Sequence, residues 1–232
     1  LGLRLNRLAM ASGGPKAPDQ VSGHYAWCDV SVASSLLRDR TGVDPTLASS
    51  DGDPIGTILD QSGNNRRLQA VVGDATRPTL KVGIQAGKNG ARFDAVDDVL
   101  RCDTVGSSLM SGNDKPFTVI WVGKQASNVG NRTFWGTNNS ANSMSNHRFR
   151  CNGTTSYHSD RRDDAGSNTS VSGSTPNTST HVFALRFTGT ATSFFRDSVA
   201  IYENSAQNVG IVTLTSFSVG AWYRNASGEV SE

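Results

Sequence analysis

Cysteine is scarce: Cys28, Cys102 and Cys151 are the only three in 232 residues. Three thiols so far apart build neither a disulfide framework nor a metal-ligand cluster. One pair could bridge and leave the third free. The favoured reading is three reduced thiols serving as small hydrophobes in strands, which fits assembly inside a cell. The four histidines, His24, His147, His158 and His181, show no metal-ligand spacing. No Gly-x-Ser-x-Gly elbow, Cys/His pairing or Gly-x-Gly-x-x-Gly loop occurs, so nucleophilic hydrolysis and dinucleotide binding have no motif to rest on. Long apolar runs are absent as well, and none approaches the roughly 20 residues a helix needs to cross a bilayer. The opening LGLRLNRLAM is interrupted by Arg4 and Arg7 and lacks a sustained signal-peptide core. Charge is sparse: charged residues are 18% of the chain and the formal net charge is +2. That balance does not mark a nucleic-acid partner. Arg38/Arg40, Arg66/Arg67 and Arg161/Arg162 are scattered pairs, read as solvated faces or subunit contacts.

What the chain does have is 24 glycines, abundant Ser, Thr and Asn, and a hydrophobic fraction of 36%. This composition suits one large all-β domain of short strands and polar loops. Asn-x-Ser/Thr matches at Asn131, Asn152, Asn168, Asn177 and Asn225 are what chance supplies in such a sequence and say little about secretion. Residues 1–20 divide into an apolar-basic arm and the linker Ser12-Gly13-Gly14-Pro15-Lys16-Ala17-Pro18, which suits neither a sheet nor a helix interior. The arm is either a strand on its own domain or a segment that docks on a neighbouring subunit. Residues 21–232 form the domain proper.

The organising stretch is Gly56–Leu100. Ile58-Leu59 is followed by the turn-formers Asp60-Gln61-Ser62-Gly63-Asn64, a second apolar patch spans Leu68–Val72, and Arg77-Pro78 opens an extended piece. Asn89-Gly90 is a strong hairpin signal, and Asp97-Asp98 turns the chain toward Val99-Leu100. The runs D-Q-S-G-N-N, R-P, N-G-A-R-F-D and D-D-V-L resemble the opening half of concanavalin A-like, laminin-G-like jelly-roll domains of phage virion proteins and secreted lectin-type modules. The likeness covers roughly residues 25–102 by motif and the remainder by strand pattern. It implies a concanavalin A-like jelly-roll sandwich of two antiparallel sheets.

Elsewhere the periodicity is that of strands. Tyr25–Cys28 reads as the first core strand, with Trp27 against the core as the resemblance implies, and Ser34–Arg38 as a short turn of helix. Phe117–Val122 is apolar on both faces, which predicts a central strand covered on both sides. In His147–Asn152, His147, Phe149 and Cys151 share one face and Arg148, Arg150 and Asn152 the other, a half-buried strand. Asp160–Ser179 is too polar to bury a face and reads as a long loop or thin edge strands. His181, Phe183, Leu185 and Phe187 align inward; a hairpin follows at Arg196-Asp197-Ser198, where the resembled family often has Asn-Gly. Phe217, Val219, Ala221 and Tyr223 share a face of the last strand. The resembled family usually continues with one more strand, so the sequence suggests truncation, or an edge closed by the arm or another subunit.

For function, the resemblance implies a non-enzymatic phage virion structural protein: a capsid decoration, head-fibre, neck or tail component, assembled in the host cytoplasm. Its partners would be like subunits and capsid or tail proteins, with no nucleic acid and no membrane insertion. The alternative is a carbohydrate-binding adhesin, holding surface glycans with Trp135, Asn138, Asn139 and Asn142, or with Trp222 and Tyr223 near Asn225. A glycan-processing enzyme ranks below both. The acids Asp94, Asp97, Asp98, Asp103, Asp163, Asp164 and Glu203 do not form the Glu-x-Asp-x-x-Glu set of jelly-roll glycanases. No cofactor is required. Asp97-Asp98 reads first as a turn, and Asp94, Asp97 and Asp98 together form the one candidate set of calcium ligands.

Overall fold

In the computed structural model, the described residues are 25–70, 73–127, 130–139, 145–220, and the backbone of 222–224 and 229–231. The arm and linker expectations, together with Asn142 and Asn225, lie outside them. The first elements among the described residues are a helical turn at Ala33–Ser35 and the short strands β1 (Leu36–Leu37), β2 (Thr57–Ile58) and β3 (Leu68–Gln69). The hairpin β4 (Thr79–Gln85) and β5 (Lys88–Arg92) and the strand β6 (Leu100–Cys102) follow. A helical stretch, Asp103–Val105 and Gly106–Met110, leads to β7 (Gly112–Asn113) and β8 (Phe117–Gly123). Next come β9 (Asn131–Asn138), β10 (Asn146–Asn152), β11 (Ser156–Arg162) and β12 (Asn168–Gly173). The chain then forms β13 (His181–Phe187), β14 (Ala191–Arg196), β15 (Val199–Ala206), β16 (Ile211–Val212) and β17 (Ser216–Val219), and ends in the hairpin β18 (Trp222–Arg224) and β19 (Glu229–Ser231).

Among the described residues, these strands build a nine-stranded sheet in the order β1-β2-β3-β6-β17-β9-β10-β11-β12 and a four-stranded sheet in the order β15-β14-β13-β8, while β4–β5, β7–β16 and β18–β19 pair as separate two-stranded sheets. Every pairing is antiparallel, from Leu36↔Ile58 at one edge to Ser159↔Val171 near the other. The all-β, concanavalin A-like jelly-roll sandwich expected from the sequence is the fold observed. One core lies between the sheets and is aromatic: Trp135, Phe149, Tyr157, Phe183, Phe187 and Phe194 are all essentially buried. Phe149 and Phe194 approach to 4.6 Å between ring centroids, and Trp121 stacks on Phe183 at 5.2 Å. Offset and edge-on pairs of this kind add to the apolar area each ring buries. A second, aliphatic cluster of Leu36, Ile55, Ile58, Leu80 and Leu100 fills the other end.

Several sequence expectations meet a different local physics. Tyr25–Cys28 is not a strand; it makes a single bridge, Cys28↔Asp60. The Trp27 N–H donates to the Asp60 carboxylate at 2.9 Å, which replaces a sheet partner. The same carboxylate accepts the N–H groups of Ser62 and Arg66 at 2.9 Å each, so Asp60 organises the D-Q-S-G-N-N turn. The strand at Phe117–Gly123 is an edge and not a centre: Ile120 and Val122 are 52% and 55% exposed on the outer side. The turn of the β4–β5 hairpin falls at Ala86-Gly87, both at positive φ, while Asn89-Gly90 lies within β5. Arg196-Asp197-Ser198 does form its hairpin, with Asp197 and Ser198 both left-handed at φ 51° and 69°. The polar run after Asp160 supplies the end of β11 and the edge strand β12. The last strand breaks at Gly220, where φ is +91° and the Phe93 ring sits 2.0 Å from where a Cβ would be. The three cysteines are free; Cys102 and Cys151 are buried, and burial foremost pushes the Cys28 thiol up to about 12.

Candidate functional site

Strands β10 and β11 alternate strictly, and the alternation sorts chemistry onto two faces. His147, Phe149 and Cys151 point into the core, opposite Arg161, Ser159 and Tyr157. Arg148, Arg150 and Asn152 point outward, opposite Asp160, His158 and Ser156. On one side, β12 adds Ser170 and Ser172 opposite Asp160 and His158. On the other, β9 places Gly136 opposite Arg148 and Thr133 opposite Arg150. The outward face of this part of the sheet is therefore polar, with small residues flanking the two arginines.

The groups on this face are tied together. Arg148 and Arg150 each donate from Nε to Asp160 Oδ2, at 2.8 Å and 2.6 Å. Ser170 donates to Asp160 Oδ1 at 2.6 Å, and Arg150 Nη1 reaches Asn131 Oδ1 at 3.3 Å. His158 completes the network, with Nδ1 at 3.1 Å from Ser170 Oγ and Nε2 at 2.8 Å from Ser156 Oγ. Burial works against the Asp160 charge, but the hydrogen bonds from Arg150 and Ser170 and the Arg148 charge outweigh it and hold the carboxyl below its usual range. Desolvation first, and then the Arg150 charge, lower His158 from its ordinary value. Asp160 is thus ionised and two guanidinium groups share it, leaving an excess of positive charge on a pre-ordered surface. The side chains of Arg148, Arg150 and Asp160 stay 24%, 18% and 13% exposed, within reach of a ligand.

At the border of this face lies the loop Asp94–Asp98. Asp94 Oδ1 accepts the N–H groups of Val96, Asp97 and Asp98, and Asp98 Oδ2 accepts that of Asp94. The loop closes on β9, and Ala95, Val96, Asp97 and Asp98 line a small cleft with Arg132, Thr133 and Gly220. Carboxylate oxygens of Asp94, Asp97 and Asp98 all lie within 4.8 Å of one another. Desolvation, with the neighbouring Asp94 and Asp97 charges adding to it, raises Asp98 to about 6 against its hydrogen bond from Asp94. The calcium candidates named from the sequence are therefore brought together. The cleft has room for about one water-sized body, far less than a sugar ring.

The aromatic candidates fare differently. Trp135 is 1% exposed and its indole is enclosed by Phe117, Trp121, His147 and Phe217, so neither ring face is offered to a sugar. The physical cause is a β-bulge between β9 and β10 that turns both Phe134 and Trp135 inward. Asn138 and Asn139 are buried too, and the Asn138 carbonyl accepts the Thr215 N–H at 2.7 Å. Trp222 and Tyr223 have paired backbones, Trp222↔Ser231 and Tyr223↔Val230; their side chains lie outside the described residues. Of the remaining candidate acids, Asp163 accepts the Ser167 N–H, Asp164 that of Thr213, and Asp103 pairs with Arg101, while Glu203 is exposed on β15. Sequence reading had placed Arg148 and Arg150 outward together; their meeting with Asp160 depends on a strand register that no local pattern shows.

No protein-family model and no curated protein matches the sequence. Solved structures do resemble the fold. The binding domain of Paraclostridial mosquitocidal protein 1 aligns with a TM-score of 0.51 at 13% identity, over 79% of this chain and 46% of that one. The CBM40 module of the Ruminococcus gnavus IT-sialidase aligns with a TM-score of 0.45 at 12% identity, over 78% and 83%. Its complex with α2,3-sialyllactose gives 0.45 at 14% identity, over 55% and 71%. At such identities the likeness is one of fold. The expectation of a phage virion structural protein is corrected by this comparison, since the mosquitocidal-protein neighbour is a binding domain and not a virion component. One sandwich hosts many functions, and the motif likeness that suggested a virion role had reported the fold alone.

Proposed function

We propose that this domain is a non-enzymatic carbohydrate-binding module that holds acidic saccharides on the outward face of β10–β12. The observation that carries the reading is the Arg148–Asp160–Arg150 bridge, extended by Ser170 and His158. Guanidinium groups present planar, charged donors that match a carboxylate or sulfate in two parallel hydrogen bonds. Here each arginine is anchored through Nε, so the plane of its fork is fixed before a ligand arrives. Hydroxyls of Ser156 and Ser170 and the amide of Asn131 border the arginines and suit sugar hydroxyls. Recognition on this face runs on charge and hydrogen bonds, because no Phe, Tyr or Trp is among the described outward residues of β10, β11 and β12. The same face lacks a recessed acid pair with space for a substrate, which favours holding a glycan over cleaving one.

The test is a titration with neutral and acidic oligosaccharides after a glycan array. Wild-type protein should bind the acidic set, with affinity falling as salt is raised. Arg150→Ala should weaken that binding by roughly tenfold to a hundredfold, the worth of one charged hydrogen-bonded contact. Binding confined to neutral sugars, or unchanged by Arg150→Ala, would overturn the reading.

A further inference from the structure

Beside that face, and independent of any glycan, lies the cleft of the Asp94–Asp98 loop. We propose that Asp94, Asp97, Asp98 and Thr133 bind a calcium ion. Two separate observations converge on it. The first is the carboxylate cluster itself, three oxygens within 4.8 Å of one another. Turn geometry accounts for Asp94 and part of Asp98, whose oxygens accept backbone N–H groups. It does not account for Asp97, whose carboxylate accepts no hydrogen bond among the described residues and yet sits with the others. The second observation comes from another strand. Thr133 is 5% exposed, its hydroxyl has no hydrogen-bond partner among the described residues, and it lines the same cleft as Asp97 and Asp98. A buried hydroxyl without a partner carries a desolvation cost, which a ligand in the cleft would relieve.

The chemistry of the donor set selects the ion. Three carboxylates and a hydroxyl are hard oxygen donors, with no histidine or thiol among them, and that excludes a preference for zinc or copper. Arg132 lines the cleft as well, so the local balance is three negative charges against one positive, an excess that a dication neutralises. Carbonyl oxygens of the loop and water can complete the six to eight ligands that calcium takes in flexible geometry. The cleft's room for about one water-sized body fits a bare ion and nothing larger. Thr133 is also the register partner of Arg150, so an ion there would place a divalent charge at the margin of the arginine face.

The experiment uses the full chain, stripped with chelator, in calorimetric titration and thermal melting with calcium chloride. Saturable binding with a Kd of order 10⁻⁴–10⁻³ M and a rise in Tm are expected. Sodium chloride at matched ionic strength controls for screening. Asp97→Asn and Thr133→Val should each weaken calcium binding by about tenfold or more. Without calcium both should melt within a few degrees of wild type, since the Asp97 carboxylate accepts no hydrogen bond among the described residues, its backbone N–H bond to Asp94 is kept by asparagine, and Thr133→Val removes an unsatisfied hydroxyl. No saturable response to calcium, an equal response to sodium chloride, or unchanged calcium affinity in either variant would overturn the proposal.

Discussion

Trp135→Ala should destabilise the domain by about 3–5 kcal/mol, the range for deleting a large aromatic from a close-packed core. For a chain of this size that corresponds to a fall in Tm of roughly 6–20 °C. The indole lies where the two sheets meet, edge-on to Phe117 and Trp121 at 6.5 Å and 6.1 Å and stacked on Phe217 at 5.7 Å. Removing it leaves a cavity bounded by residues from β8, β10 and β17, each fixed by its own sheet register, so the void cannot collapse by moving one loop. Trp135→Phe is the milder comparison: it keeps a ring in the stack and discards an indole N–H that has no partner among the described residues. It should cost less than the alanine variant and leave binding of acidic glycans intact. Arg150→Ala should show the opposite pattern, with Tm little changed and glycan binding weakened roughly tenfold to a hundredfold, because Arg148 and Ser170 still hold the Asp160 carboxylate. Urea unfolding and glycan titration on the three variants give the comparison directly. A Trp135→Ala protein of wild-type stability that no longer binds glycans would mean that the indole is a ligand platform after all.

This contrast also shows where sequence pattern carries information and where it stops. The inward set His147, Phe149 and Cys151 was legible because a half-buried strand alternates apolar and polar side chains. The hairpin at Asp197-Ser198 was legible from turn chemistry even without Asn-Gly. Phe117–Val122 misled because an exposed Ile or Val carries the same letter as a covered one, and only the sheet order reveals that β8 is an edge. Trp135 misled through its neighbours: a tryptophan followed by Gly-Thr-Asn-Asn looks like a loop tip until a bulge rotates it into the core. The Asp60 turn was seen as a turn, but its task, capping the Trp27 N–H 33 residues earlier, is long-range. The arginine face fails for the same reason. Arg148 and Arg150 could be placed outward, whereas Asp160 joins them through the β10–β11 register, and Thr133 joins the acidic loop through tertiary closure.

Lowering the pH from 7 to 4.5 should strip about 2–3 kcal/mol of stability through His147 alone. The imidazole is 1% exposed, enclosed by Phe117, Trp135 and Phe187, with Nε2 on Ser159 Oγ at 3.2 Å. Desolvation foremost, then the charge of Arg161, lower its pKa from 6.5 to about 3, against a small opposing pull from Asp160. The sign follows from proton counting. Between these two values the unfolded chain binds a proton that the folded chain refuses, so stability rises with pH across the window and is lost as pH falls from about 6.5 toward about 3. Asp98 acts in the opposite sense: its pKa, raised to about 6, means the folded state takes up a proton first, which stabilises the fold as pH drops from about 6 toward 3.8. A simple acid-denaturation curve would mix the two. The comparison that isolates the histidine is His147→Gln, which keeps a hydrogen-bonding partner for Ser159, does not titrate, and leaves Asp98 unchanged. Staying above pH 4.5 also keeps Asp160 and Asp164, both held below the usual carboxylate range, ionised throughout. Urea unfolding at pH 7 and pH 4.5 should then show wild type losing about 2–3 kcal/mol more than His147→Gln. Parallel losses in the two proteins would mean that His147 takes up its proton without leaving the core, and that the ring and guanidinium neighbours do not disfavour its charge.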